Sequence, residues 1–158
     1  MKVTMTRSES IAALATPPGE GGLAVIRISG PQAAKILDNI FESQHGIGVA
    51  KMATHRLYHG FIRGGIAQGE EVLIAVMRAP HSYTGEEVVE IFAHGGVLVS
   101  QGIMRLIVSK GARLAEPGEF TKRAFLNGKI DLSQAEAVAD VISAKTETAL
   151  KIGLNQLE

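Results

Sequence analysis

A chain of 158 residues, 46% of them hydrophobic, is long enough to bury a core and sets the expectation of one domain with room for an appendage. Lysine plus arginine number 16 and aspartate plus glutamate 16, so formal net charge is zero, which argues against a general polyanion-binding domain without excluding a local basic patch. The absence of cysteine removes disulfide and thiol chemistry, no apolar run is long enough to span a bilayer, and MKVTMTRSES lacks the apolar stretch of a signal peptide.

Ile11 to Ala15 is short and apolar and predicts a strand. The Pro- and Gly-rich run Thr16 to Gly22 predicts a loop. Leu23 to Ser29 reads as a second strand, with Ala24, Ile26 and Ile28 on one face and Leu23, Val25, Arg27 and Ser29 on the other. Ser29-Gly30-Pro31 predicts a helix start, proline being tolerated in the first turn, and Ala33, Ile36, Leu37 and Ile40 give that helix a buried stripe. Glu42 to Thr54 carries little pattern and reads as a surface loop.

His55 to Ile62 predicts a strand, and Arg63-Gly64-Gly65-Ile66 has the glycine pair of a tight hairpin turn. Glu71 to Met77 is apolar enough for a central strand. A polar loop from Arg78 to Gly85 leads to another strand, Glu86 to Ala93, where Glu90 sits between Val88 and Phe92 on one face. A carboxylate so placed needs a partner if it is buried. His94-Gly95-Gly96 turns the chain into a helix over Val97 to Lys110, stopped by Gly111, and Ala112 to Ala115 reads as an edge strand. Mixed strands and helices without strict alternation predict an α+β domain, a mixed sheet with flanking helices, over residues 1–118.

Residues 119–158 read as the start of a helical domain. A short helix runs from Phe120 to Leu126 and stops at Asn127-Gly128, and Lys129 to Leu132 links it to a long helix. Ser133 and Glu136 have capping-box spacing, while Ala135, Val138, Ile142, Ala149 and Ile152 fall close to one helical face. Leu150, Ile152, Leu154 and Leu157 ask for partner helices, so the sequence is expected to be the N-terminal part of something longer.

Few groups suggest chemistry. His55 and His59, four apart in a strand, would lie about 13 Å apart, which is no metal pair. The glycine-rich loop Pro18 to Gly22 precedes a strand, whereas a phosphate cradle precedes a helix. Asn127-Gly128-Lys129-Ile130 lacks the upstream glycine and following hydroxyl of a Walker loop. No nucleophile, base and orienter are grouped, so no catalytic residue and no metal ligand is assigned. What remains is Arg27, Glu90 and Lys129, lone charges on or beside apolar elements. Either Arg27 and Glu90 pair across the sheet and Lys129 is solvated, or the three meet a ligand.

The runs ATPPGEGGLAVIRISG, SYTGEEVVEIFAHGG and PGEFTKRAFLNGKIDLSQAEAVADVI resemble, in this order, the N-terminal part of the MnmE (TrmE) family of tRNA-modification GTPases. The resemblance covers the chain from about Ser10 onward; Glu20 departs from it, standing where many members carry Arg. It implies a fold like the folate-binding domain of glycine-cleavage aminomethyltransferases, which makes a homodimer and binds a tetrahydrofolate derivative, 5-formyl- or 5,10-methylene-tetrahydrofolate, as one-carbon donor. It implies a cytoplasmic protein that modifies the wobble uridine of tRNA with an FAD-dependent partner, MnmG, and has no membrane contact. GTP, Mg and K would belong to a GTPase domain absent from this chain. The family's folate contacts fall on Arg27, Glu90 and Lys129, with a fourth beyond Glu158. A carboxylate suits the adjacent N–H donors of a pterin, and cations suit the glutamate tail of folate. Two other readings stay open: a non-catalytic dimerisation scaffold, and a stand-alone folate-dependent aminomethyltransferase.

Overall fold

The computed structural model describes residues 9–65 and 69–157. The stretch ahead of Glu9, and Ile66 in the expected glycine turn, lie outside the described residues. The chain divides into two compact units. One takes the chain up to Ser82 together with Glu86–Ala115, and the other joins Tyr83–Gly85 to the chain from Glu116 onward.

The first unit is α+β. Its strands are β1 (Ile11–Leu14), β2 (Ala24–Ser29), β3 (Phe41–Ser43), β4 (Leu57–Ile62), β5 (Glu70–Met77), β6 (Val88–Ala93) and β7 (Arg113–Leu114), with helices α1 (Ala33–Asp38) and α2 (Val97–Ser109). They form one seven-stranded sheet in the order β3-β4-β5-β6-β2-β1-β7. Every pairing is antiparallel except the parallel pair of β1 with β7, so the sheet is mixed.

One sheet face carries the core. Ile26 and Ile28 of β2, Val72, Ile74 and Val76 of β5, and Val89 and Ile91 of β6 are buried against Ile36 and Leu37 of α1 and Ile103 and Ile107 of α2. The period-2 alternation of β2 and β6 is what puts these residues on one side. On the other face Ile11, Ser29 and Val88 are buried, but Leu73 of β5 is 41% exposed.

Three expectations need correction here. The stretch from Glu42 is not wholly loop: β3 pairs with β4, and Val49–Lys51 forms a 3-10 turn. Three residues are too few to show a period, and β3 exists because β4 offers it an edge. The helix after Pro31 begins only at Ala33, with Pro31 in the preceding turn. Ile62 pairs with Glu70, so the β4–β5 connection spans 63–69 rather than a two-residue turn at the glycines. β5 lies inside the sheet between β4 and β6, as its apolar sequence predicts, and its burial alternates along the strand.

The second unit holds α3 (Glu119–Leu126), α4 (Leu132–Ser143) and α5 (Glu147–Leu157). Glu119 is buried at the start of α3, where its carboxylate accepts from the Glu116 N–H at 2.8 Å and from Arg123 at 3.2 Å. Gly128, at φ 69, closes the helix as the Asn127-Gly128 pair suggests, its N–H donating to the Phe125 carbonyl at 3.0 Å.

The cap of α4 is not Ser133. Asp131, extended at φ −86 and ψ 179, accepts from the Gln134 N–H at 2.8 Å, and the Gln134 side chain accepts from the Asp131 N–H at 3.0 Å. Asp131…Gln134 has the same spacing as Ser133…Glu136, and aspartate caps as well as serine. The first eligible pair along the chain takes the cap, which leaves Ser133 inside the helix.

Nor do residues 132–157 form one helix. Ala144 at ψ 124 breaks it, and the Thr146 hydroxyl accepts from the Ala149 N–H at 3.2 Å to start α5. The helix α5 folds back on α4: Gln134 Nε2 donates to the Leu157 carbonyl at 3.1 Å, joining the start of one to the end of the other. Gly153 is buried at their crossing, where an added Cβ would lie 2.8 Å from Val141 Cγ2. The two helices therefore approach closely only because residue 153 has no side chain.

Candidate functional site

The open face of the first unit places Arg27 and Glu90 side by side. In the β2–β6 ladder Arg27 is opposite Glu90, in β1–β2 Ala13 is opposite Arg27, and in β5–β6 Ala75 is opposite Glu90. One row across four strands thus reads Ala13, Arg27, Glu90, Ala75. The next row reads Val25, Phe92, Leu73, and the row on the other side Ser29, Val88, Met77. The ion pair has a methyl group on each flank and larger apolar side chains in the rows before and behind it.

The pairing is close. Arg27 Nε donates to Glu90 Oε1 at 2.8 Å, and Arg27 Nη2 lies 2.7 Å from the same oxygen. The side chains are 29% and 17% exposed, so the pair is half-buried but reachable. Glu90 Oε2 makes no hydrogen bond among the described residues and is not sealed from solvent. A carboxylate oriented by one cation, with its second oxygen open, can accept from a ligand's N–H groups.

Lys129 belongs to the second unit, in the turn between α3 and α4. Its N–H donates to the Ala124 carbonyl at 2.9 Å, and its side chain is exposed. Of the three expected site residues, then, Arg27 and Glu90 share one cluster and Lys129 is held by a different set of neighbours.

Two groupings escape sequence reasoning. Buried Ser29 donates to Glu86 Oε2 at 2.7 Å, at the other end of the face that carries Arg27. Asn127 Nδ2 donates to the Thr84 carbonyl at 2.7 Å, joining two stretches 43 residues apart. Both are long-range pairs, and the only local signal was that Asn127 precedes a glycine.

Two of the five histidines lie beside carboxylates. His59 lies between Gln44 and Glu71, with Nε2 2.7 Å from the carboxylate, and His94 Nδ1 lies 2.6 Å from Glu70 Oε1. Among the described residues no three His, Cys, Asp or Glu side chains are grouped to hold a metal, and no helix is long and apolar enough to cross a membrane.

A mixed sheet covered by helices on one face, with a half-buried ion pair on the other and a capped helical unit following in the chain, defines an α+β domain. The chain belongs to the family described as "GTP-binding protein TrmE N-terminus", which matches residues 10–129. It is 51% identical over 150 residues to a protein of Listeria innocua named tRNA modification GTPase MnmE, covering 95% of this chain and 32% of that one. Proteins of the same name from Lactiplantibacillus plantarum and Geobacillus kaustophilus are 52% and 50% identical, each over 98% of this chain and over 33% and 34% of their own length. The chain thus spans about a third of the length of the curated relatives it matches.

Proposed function

We propose that this chain is the tetrahydrofolate-binding and dimerisation region of a cytoplasmic tRNA-modification GTPase that acts on the wobble uridine together with MnmG. The observation that carries the reading is the Arg27–Glu90 pair, half-buried between Ala13 and Ala75 on the open sheet face, in a chain of the TrmE N-terminal family. Bound folate supplies the one-carbon unit of the modification. The chain's own residues bind and orient it.

Glu90 presents Oε2 to the paired donors of the pterin, while Arg27, holding Oε1, keeps the carboxylate charged and fixed in direction. The glutamate tail calls for a cation, and Lys129 is the candidate for it. Lys129 joins this set by the family pattern of LNGKIDL alone. Phe92, Leu73 and Val25, in the adjoining row, supply apolar contact for the ring. GTP, with Mg and K, acts on parts of the protein outside this chain, which itself carries no Walker loop in its sequence.

Calorimetric titration of 5-formyltetrahydrofolate tests the reading, with sedimentation of the same sample. Saturable one-to-one binding by a dimer is the expected result. A dimer that takes up no folate supports the scaffold reading instead, and methylene transfer by this chain alone supports the stand-alone transferase.

A further inference from the structure

Lysines beside turns are usually mobile, since a four-carbon stem carries much rotamer entropy. Lys129 is differently placed. Gly85 lies against its stem: a Cβ at residue 85 would stand 3.2 Å from Lys129 Cγ and 3.3 Å from Cδ, closer than side chains comfortably pack. The same atom would stand 3.3 Å from Asn127 Cβ. Gly85 also holds φ +76, a conformation that residues with a Cβ rarely adopt.

What holds Gly85 in place is the residue before it. Thr84 is fully buried, and its carbonyl accepts from Asn127 Nδ2 at 2.7 Å. Tyr83 adds a second tie, its hydroxyl 2.8 Å from Thr121 Oγ1 on α3. Asn127 is thus the middle of a clamp: its side chain fixes the segment Tyr83–Gly85, and that segment forms the bed on which the Lys129 stem lies. The backbone end of Lys129 is held by its N–H to the Ala124 carbonyl at 2.9 Å.

We infer that Asn127 and Gly85 are positioning residues for Lys129, seating its stem so that the ammonium is presented in one direction to an anionic group of a ligand. The inference rests on the reading of Lys129 as a contact to a folate carboxylate. A cation already ordered before binding loses less entropy on meeting its partner, which raises affinity without adding a contact. It also explains a carbonyl–amide bond across 43 residues that core packing alone does not require.

The test is a double-mutant cycle on 5-formyltetrahydrofolate affinity, using the unaltered chain, Asn127→Ala, Lys129→Ala and the double variant. Asn127→Ala should weaken binding about three- to tenfold when Lys129 is present, the worth of a lost neutral hydrogen bond, and should change nothing when Lys129 is already alanine. Equal loss in both backgrounds, or no loss in either, overturns the inference. A second measurement needs no ligand. Side-chain NMR should show the Lys129 Cγ and Cδ methylenes ordered, with order parameters that drop in Asn127→Ala and in Gly85→Ala. Mobile methylenes in the unaltered chain overturn the seating. An ordered stem in a chain that takes up no folate keeps the seating and removes the folate reading, so the two failures are distinguishable.

Discussion

Arg27 and Glu90 face each other across the β2–β6 ladder, and two guanidinium nitrogens converge on one carboxylate oxygen, Nε at 2.8 Å and Nη2 at 2.7 Å. The arrangement is lopsided: Oε1 is occupied and Oε2 is open. A purely structural pair gains most when both oxygens are met bidentately by the guanidinium fork. The geometry therefore suits a group that is anchored on one side and has another donor to receive.

Glu90→Gln should weaken 5-formyltetrahydrofolate binding about ten- to a hundredfold. The change turns half of the group into an N–H donor that faces the ligand's own donors, and a hydrogen bond to a charged group is worth about 1.5–3 kcal/mol. Calorimetry against the unaltered chain reads the loss. Unchanged affinity in a folded Glu90→Gln variant removes Glu90 from the site.

Arg27→Ala should lower both ligand affinity and Tm. It strips the partner from a half-buried carboxylate, which costs about 1–3 kcal/mol, or roughly 2–4 °C of Tm for each kcal/mol in a chain of this size. Adding Glu90→Gln to Arg27→Ala should then restore part of the Tm, because the stranded charge is gone, while ligand binding stays lost. A double variant that melts lower than Arg27→Ala shows that Glu90 has a structural partner other than Arg27.

The first unit was largely legible because its strands are two-faced. Ala24, Ile26 and Ile28 against Val25 and Arg27, and Val89 and Ile91 against Glu90, state in sequence which side meets the core, and the same alternation puts the two charges on the other side. Adjacency of β2 and β6 is not local information, so the sequence alone leaves the Arg27–Glu90 pairing open, and the β2–β6 ladder supplies it. The α4–α5 break was hidden for the opposite reason. Apolar residues continue at helical spacing through Ala144, Lys145 and Thr146, and only the Thr146 hydroxyl marks the new start. Asn127 signals locally only through its neighbour Gly128, and the partner of its amide, Thr84, lies in no window of local sequence.

The capping of α4 separates two serviceable pairs of residues. Asp131→Ala should destabilise the second unit by about 1 kcal/mol, since it leaves the Gln134 N–H without its acceptor at 2.8 Å. Ser133→Ala should be close to neutral, because that residue lies inside the helix and alanine favours it. Helical circular dichroism during denaturation reads both. The reverse order of effects would restore Ser133 as the cap.

Gly153→Ala tests the helical hairpin. An added Cβ would stand 2.8 Å from Val141 Cγ2, inside van der Waals contact, and 3.7 Å from the Ala137 carbonyl oxygen. Alanine favours a helix over glycine by about 1 kcal/mol, so an isolated α5 would gain from the change. In the packed hairpin the overlap dominates, since overpacking costs about 1–3 kcal/mol and Val141 sits on a rigid helix. The expected net effect is a loss of stability, read by amide exchange over α4 and α5. Val141→Ala removes the atom that is struck, so the pair Val141→Ala with Gly153→Ala should recover most of what Gly153→Ala loses, and should exceed the sum of the two single changes. A stabilised Gly153→Ala would mean that the helices do not meet at this glycine, and the fold-back of α5 onto α4 would have to be redrawn.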